Sequence, residues 1–113
     1  MPTKNIDLKP SNDRLPNVAG ELSEGGMLIS LTARLHEGTA QSGTVHVQLG
    51  TYRDTVAEAN WLCVLVDDYV YDGHNPSWAG KLPLEPGEGI MAVVRSGTIV
   101  TVRCTAKVLR YDP

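Results

Sequence analysis

The feature that most constrains this chain is an alternation of apolar and polar side chains that runs through most of residues 27–35, 44–49 and 99–108. In the second of these segments, valine and leucine occupy every other position between threonine, histidine and glutamine. A period of two residues is that of a β-strand with one buried face. The sequence therefore predicts strands that pack their aliphatic faces into a shared core.

Further segments extend this pattern to most of the chain. Residues 61–66 are apolar at every position, which is typical of a central strand covered on both faces. Two antiparallel hairpins are predicted, one from residues 27–35 and 44–49 and one from residues 90–94 and 99–108. Six to eight short strands without a helix predict an all-β fold, either an antiparallel β-sandwich or a jelly-roll-like barrel.

Residues 1–24 differ from the rest and predict an extended N-terminal arm ahead of one β-sandwich domain at residues 25–113. Pro2, Pro10 and Pro16 break any helix and favour extended geometry. A disordered tail is one interpretation. A tether that docks on a neighbouring subunit is favoured, because a solvated tail does not need five aliphatic residues. These residues are Ile6, Leu8, Leu15, Val18 and Leu22.

The charge of the chain, formally −3 at pH 7, argues against sequence-independent binding of DNA or RNA, which requires a basic surface. No apolar run approaches the ~20 residues needed to cross a bilayer. Residues 1–20 contain no segment of the signal-peptide type. We therefore expect neither a nucleic acid nor a membrane as partner, and synthesis in a cytoplasm.

Ser30, His46 and Asp54 supply the residue types of a nucleophile–base–acid set. No G-x-S-x-G elbow or comparable local motif accompanies these residues. The glycines in residues 87–89 precede a predicted strand, whereas phosphate-binding loops open a helix. We expect no catalytic residues and no cofactor, so that the protein is not an enzyme.

Oxygen ligands suited to calcium occur at Asp67, Asp68, Asp72 and Asn75. Their spacing does not match that of an EF-hand loop. Asp and Asn beside a turn commonly satisfy the turn's own backbone groups. We therefore expect no metal site in this segment.

The two cysteines, Cys63 and Cys104, belong to no C-x-x-C pair, which argues against zinc and thioredoxin-type chemistry. Both lie in apolar, strand-like runs. Two buried free thiols are the favoured interpretation. The alternative is a disulfide, either within the chain or between subunits.

Three residues are candidates for an interface. Two of them, Arg103 and Lys107, fall on the outer side of the last predicted strand and could meet an acidic partner surface. Arg95, before that strand, could extend this basic stripe. Lys and Arg in such places also protect an edge strand from mispairing. Trp78, which follows a turn, is the third candidate.

Most of the chain resembles small β-sandwich virion structural proteins of tailed bacteriophages and prophages. The resemblance covers residues 27–109. It consists of an early strand pair, a turn rich in Asn, Gly and Pro, and a segment of the form L-x-L-x-x-G-(D/E)-x-I at residues 82–90. Two closing strands around the small-residue turn at residues 96–97 complete it.

This resemblance implies a non-enzymatic structural protein of a virion assembled in the host cytoplasm. The favoured role is a capsid decoration (cement) protein that docks on neighbouring capsid subunits through its N-terminal arm. Its partners would be the major capsid protein or other virion subunits and further copies of itself, with a trimer favoured. A head–tail connector or tail component is the alternative within the same class.

A carbohydrate-binding β-sandwich module is the alternative from a different class. Its aromatic side chains would line one face and stack on sugar rings. The candidates are Trp61, Trp78, Tyr69 and Tyr71. Two well-exposed tryptophans would favour this module, whereas buried tryptophans would favour a role in the core.

Overall fold

The computed structural model describes residues 3–8, 17–35, 44–97 and 102–110. In these ranges the chain forms eight β-strands and one turn of 3-10 helix, Glu58–Asn60. The strands are β1 (Thr3–Leu8), β2 (Asn17–Leu22), β3 (Gly26–Leu35), β4 (Val45–Arg53), β5 (Trp61–Val70), β6 (Ser77–Leu84), β7 (Glu88–Gly97) and β8 (Val102–Leu109). None of these ranges contains a helix long and apolar enough to cross a membrane.

The strands form two four-stranded antiparallel sheets. The first sheet has the order β1-β8-β3-β6 and the second has the order β2-β7-β4-β5. The pairs β4–β5, β3–β6, β2–β7 and β1–β8 are nested, as in a long two-stranded ribbon rolled onto itself. This is the strand order of an eight-stranded jelly roll. The all-β sandwich predicted from the sequence is confirmed.

The main core lies between the two sheets and is almost entirely aliphatic. The alternation predicted for β8 and for the second half of β3 is observed, because Leu31, Ala33, Val102 and Val108 are at most 2% exposed. A period of two counted back from Leu31 would leave Leu28 on the outer side, but Leu28 is fully buried, because the register shifts between Leu28 and Ser30. Such burial removes apolar surface from water, and each fully buried valine or leucine side chain contributes about 1.5–3 kcal/mol. The core therefore holds the two sheets face to face.

The strand buried on both faces is β7. Ile90, Ala92 and Val94 face the main core, while Met91 and Val93 face the opposite side and are also fully buried. A second, smaller cluster covers that opposite side: Tyr52, Met91 and Val93, with Val18, Val56 and Trp61 packed against them. This cluster lies on the outer face of the second sheet, beneath the β4–β5 loop.

The prediction that residues 61–66 form a central strand is wrong, because β5 is an edge of the second sheet. Trp61 packs against the second cluster and Leu65 against the main core. Leu62 and Val64 remain 50% and 41% exposed. An apolar run places apolar side chains on both faces of the sheet. It does not require a hydrogen-bonded strand on both edges of the run.

Both predicted hairpins are wrong as well. β3 and β4 lie in different sheets, and so do β7 and β8. Alternation specifies which face of a strand is buried, and it is satisfied equally by a hairpin and by a chain that crosses to the facing sheet. The turn predicted at residues 95–98 begins inside β7, which runs to Gly97, and residues 98–101 lie outside the described residues.

The segment predicted to be an arm contributes two edge strands to the sandwich. β1 pairs with β8 and β2 pairs with β7, over six residues each. Ile6 and Leu8 belong to the main core, Val18 packs against the second cluster, and Leu22 is exposed. Leu15 lies outside the described residues. No single period relates Ile6 and Leu8 to Val18 and Leu22, because the two pairs lie on strands of opposite sheets.

The edge strand β5 is irregular, and a glycine permits its irregularity. The register between β4 and β5 skips Leu62 and Leu65, as in β-bulges. A Cβ atom on Gly50 would lie 2.0 Å from the carbonyl oxygen of Cys63. Only glycine allows the two backbones to approach this closely.

Replacement of Ile6 by alanine tests whether β1 belongs to the core. We expect Ile6→Ala to lower the free energy of unfolding by about 2–5 kcal/mol, because it leaves a cavity between the sheets. The matched control is Asn5→Ala on the exposed side of the same strand, with an expected change within about 0.5 kcal/mol. Urea unfolding measures both, and equal stability of the two variants would contradict the placement of β1.

Candidate functional site

The outer face of the second sheet carries a network of polar side chains that crosses three strands. The register places Gln48 opposite Asp67. Gln48 Nε2 donates to Asp67 Oδ2 over 3.2 Å, and His46 Nε2 lies 2.5 Å from Asp67 Oδ1. Arg95 Nε donates to Gln48 Oε1 over 2.7 Å. The network thus links β7, β4 and β5.

Arg95 also holds the β4–β5 loop against this face. The register between β7 and β4 skips Arg95, and such a bulge re-aims a side chain. The guanidinium carbon lies 5.0 Å from the centre of the Trp61 ring, and Nη2 donates to Glu58 Oε1 over 2.8 Å. Trp61 Nε1 donates to the carbonyl oxygen of Val56 over 2.8 Å. The loop is therefore fixed as a lid on the second cluster.

An aromatic–histidine patch, formed by His46, Tyr69, Tyr71 and His74, lies at the end of β5. Tyr69 stacks on His46 with ring centres 5.0 Å apart, and Tyr71 stacks on His74 with ring centres 4.8 Å apart. His74 Nε2 lies 3.2 Å from Asp68 Oδ2. The two tyrosine side chains remain 50% and 42% exposed, so the patch offers aromatic surface to solvent.

The carboxylates beside the patch are held in their charged form. The hydrogen bond with His46, followed by that from Gln48, lowers the pKa of Asp67. The pKa of Asp68 is lowered chiefly by the backbone N–H of Tyr69, which donates to Oδ1 over 2.7 Å, and then by His74. Hydrogen bonds to a carboxylate favour its ionised form. Asp67 and Asp68 therefore each carry a negative charge at neutral pH.

The structure does not bring together Ser30, His46 and Asp54, the set considered from the sequence. Ser30 lies on β3 in the first sheet, whereas His46 lies near the start of β4 in the second. Asp54 directly follows β4, about 26 Å along the strand from His46 at 3.3 Å per residue. His46 is oriented by Asp67, but the considered serine does not face it.

The acidic residues near the turn do not converge on a common point. Asp67 lies opposite Gln48 on the outer face, whereas Asp68 lies opposite Val47, a core-facing position. Across the part of the chain that the structure describes, no three His, Cys, Asp or Glu side chains are grouped so that they could hold a metal ion.

Cys63 and Cys104 are both free thiols. Cys63 lies on the edge strand β5, and Cys104 lies on β8 in the other sheet, so the disulfide considered within the chain is not formed. Cys63 Sγ is 3.3 Å from Thr51 Oγ1. Burial, with a smaller contribution from Asp7, raises the pKa of Cys104 to about 12. A disulfide between subunits stays a prediction.

The candidate interface residues Arg103 and Lys107 lie on the outer face of the first sheet. Arg103 lies directly opposite Arg34 in the β3–β8 register, and like charges in such positions repel. Asp7 offsets this repulsion, since it accepts hydrogen bonds from Arg103 Nε over 3.0 Å and from Nη2 over 2.6 Å. With the exposed residues Lys81 and Lys107, this face is basic.

The four aromatic residues considered for sugar binding do not share one face. Trp78, the third candidate interface residue, lies opposite Leu31 on the inner side of the first sheet and packs against the main core. Trp61 packs in the second cluster. Tyr69 and Tyr71 alone among the four are exposed.

The second sheet has two apolar edges, and Leu62 and Val64 are the exposed residues there that the sequence did not indicate as candidates. The large hydrophobic side chains that are exposed in the described ranges are Leu22, Leu62, Val64, Tyr69 and Tyr71. The first lies on β2, and the others lie on β5 or directly after it. The edge strand β6 of the first sheet instead presents Lys81 and Pro83. No sequence signal marks these edges, because an apolar run looks the same whether it is buried or exposed.

Comparison with known proteins shows the fold and no family. No protein-family model and no curated protein matches the chain. The core domain of Drosophila NLP, whose structure is described in terms of pentamer formation and histone binding, superposes with a TM-score of 0.56 at 6% identity, over 98% of this chain and 100% of that one.

Two further solved structures are similar over most of the chain. The nucleoplasmin-like N-terminal domain of Drosophila FKBP39 has a TM-score of 0.46 at 12% identity, over 98% of this chain and 91% of that one. The K1 cleaved adhesin domain of Lys-gingipain from Porphyromonas gingivalis has a TM-score of 0.46 at 12% identity, over 87% of this chain and 64% of that one. At these identities the likeness concerns the fold alone.

The pair formed by Asp67 and His46 should make stability depend on pH. A lowered pKa in the folded state means that the stabilisation is fully present above the usual pKa of Asp, about 3.9, and is lost as the pH falls through the folded value. Because the pair is exposed, we expect Asp67→Asn to cost about 0.2–1 kcal/mol at pH 7 and nothing at low pH. Urea unfolding at pH 7, 5 and 3 measures this.

A double-mutant cycle with His46→Gln separates the pair from unrelated effects of either substitution. Additive losses at pH 7 would show that Asp67 and His46 do not interact.

The two thiols should differ in reactivity towards Ellman's reagent. We expect Cys104 to react only after unfolding, because burial raises its pKa and hides its sulfur. The folded protein should therefore titrate at no more than one thiol per chain, and the unfolded protein at two. Cys63→Ser is the control that assigns the accessible thiol. Rapid modification of Cys104 in the folded Cys63→Ser variant would contradict its position in the core.

Proposed function

We propose that this chain is a non-enzymatic structural subunit that works as a homo-oligomer within a larger particle. Its sequence resembles structural proteins of tailed-phage virions, so the favoured particle is such a virion. The favoured role is capsid decoration. The major capsid protein would then be the partner, and a head–tail or tail component is the alternative position.

The observation that carries this proposal is the concentration of exposed apolar side chains on the two edges of the second sheet. Exposed apolar patches on small proteins commonly mark contacts with other proteins. A domain of this size has a high ratio of surface to volume, and association stabilises it by burying such edges.

Two further observations support an assembled state. The basic outer face of the first sheet, with Arg34, Lys81 and Lys107, would complement an acidic surface on a host particle. The fold is similar to that of the Drosophila NLP core, whose structure is described in terms of pentamer formation, and this likeness supports self-association in general.

The mode of docking differs from the one expected from the sequence. Ile6 and Leu8 lie in the main core, so β1 could not reach a neighbouring subunit without opening the sandwich. Docking would therefore use the outer surfaces of the folded domain, namely its basic face and its apolar edges.

Light scattering on a sizing column tests the oligomeric state. We expect one species of several chains of 12.2 kDa each, with the trimer, at about 37 kDa, favoured over a pentamer. The mass should persist when sodium chloride is added, because the burial of apolar edges is not screened by salt as a contact between charges is. A monomer at every concentration would overturn the proposal.

The virion role has its own test. Particles purified from a culture of the host that carries this sequence would be labelled with an antibody against the chain and viewed by electron microscopy. We expect label at repeated positions on the head or tail. A chain that stays in the soluble fraction while intact particles lack it would refute the virion role and leave the oligomer in place.

Sugar binding is the second candidate, and the aromatic–histidine patch favours it. Tyr69 and Tyr71 each have one ring face against a histidine and remain about half exposed, and aromatic faces stack on apolar sugar faces. A glycan array with the wild-type protein, Tyr69→Ala and the control Trp78→Phe tests it. A glycan bound by the wild type and the control but lost in Tyr69→Ala would favour this function.

A further inference from the structure

The two apolar edges of the second sheet lie at the same level of the molecule. The register connects them in one row, from Leu22 to Gly89, from Gly89 to Tyr52, and from Tyr52 to Trp61. Three strand spacings of about 4.8 Å separate the two ends of this row by about 14 Å. A neighbouring copy displaced sideways along the row therefore brings its β2 beside β5.

The two edges also differ in shape. On β2, Leu22 projects from a strand whose register with β7 is uninterrupted, and its side chain is 48% exposed. Beside Leu62, at the other edge, lies an open depression of about 240 Å³. Its lining residues are Arg53, Asp54, Ala59, Asn60, Trp61 and Leu62. A leucine side chain thus faces outward at one edge, and a depression with an apolar wall lies at the other.

We infer that Leu22 of one copy packs against Leu62 and Val64 of the next copy, in a head-to-tail contact between β2 and β5. This inference rests on the proposed homo-oligomer and names its interface. A contact that repeats with the same two unlike surfaces is heterologous, and it closes into a ring when the rotation permits.

A second copy of this chain is the partner that fits both edges. When β2 of one copy packs on β5 of the next, a single type of contact buries both edges of every copy. A two-fold dimer through β5 alone would leave Leu22 in water, and a dimer through β2 alone would leave Leu62 and Val64 in water. The bulges in β5 at Leu62 and Leu65 interrupt its hydrogen-bonding edge. The contact is therefore made by side chains and does not extend the sheet continuously.

Cysteine cross-linking tests the direction of the contact in a Cys63→Ser background, in which the remaining Cys104 is buried. Leu22→Cys and Leu62→Cys are prepared as separate proteins and then refolded together. We expect a disulfide-linked dimer from the mixture after oxidation with copper phenanthroline, and none from either protein alone. The control mixes Leu62→Cys with Ala79→Cys, an exposed position on the edge strand β6, and should give no dimer.

The outcomes separate this inference from the proposed function. A disulfide-linked dimer from Leu62→Cys alone would show a two-fold contact and overturn the head-to-tail arrangement. An oligomer in which the mixture of Leu22→Cys and Leu62→Cys gives no cross-link would also overturn it. A monomeric wild-type protein would instead overturn the proposed homo-oligomer, and the inference with it.

A charge substitution gives a second measurement on the full chain. Leu22→Glu should reduce the mass on the sizing column to that of one chain, while circular dichroism stays that of the wild type, because the side chain is exposed. Ala79→Glu is the matched control and should keep the oligomer. Retention of the oligomer by Leu22→Glu would overturn the assigned interface.

Discussion

Burial of aliphatic side chains between two sheets is the interaction on which the rest of this structure depends. The main core takes side chains from all eight strands, and its deepest members are fully buried. Because the nested strand pairs roll one ribbon into two layers, Ile6 from the start of the chain meets the same core as Val108 from its end. This packing sets the strand order, and the strand order determines which strands are edges and which side chains face outward.

The outer face of the second sheet is the least expected part of the fold. A sheet in a sandwich commonly has a polar outer side, but Met91 and Val93 on this side are fully buried. The β4–β5 loop covers them, and Arg95 fastens that loop through Trp61 and Glu58. The same network continues to Gln48 and Asp67, so the packing of the loop and the charge of the patch are physically connected.

The edge strands of the two sheets differ in the side chains that they expose to solvent. On the first sheet, β6 carries Lys81 and Pro83, which discourage pairing with another chain, and Asp7 on β1 binds Arg103. On the second sheet, β2 and β5 leave leucine and valine side chains in water. Such exposure is costly for an isolated domain, and the proposed association between copies would remove this cost.

The sequence by itself determined the fold class and the inner face of several strands, because a period of two residues translates directly into one buried face. It also indicated that Ser30, His46 and Asp54 lack a motif. Only the tertiary structure decided which strands are neighbours, because a hairpin and a crossing to the other sheet bury the same side chains. For that reason Ile6 lies in the core while Leu22 and Leu62 face solvent, although all three are apolar residues in strands.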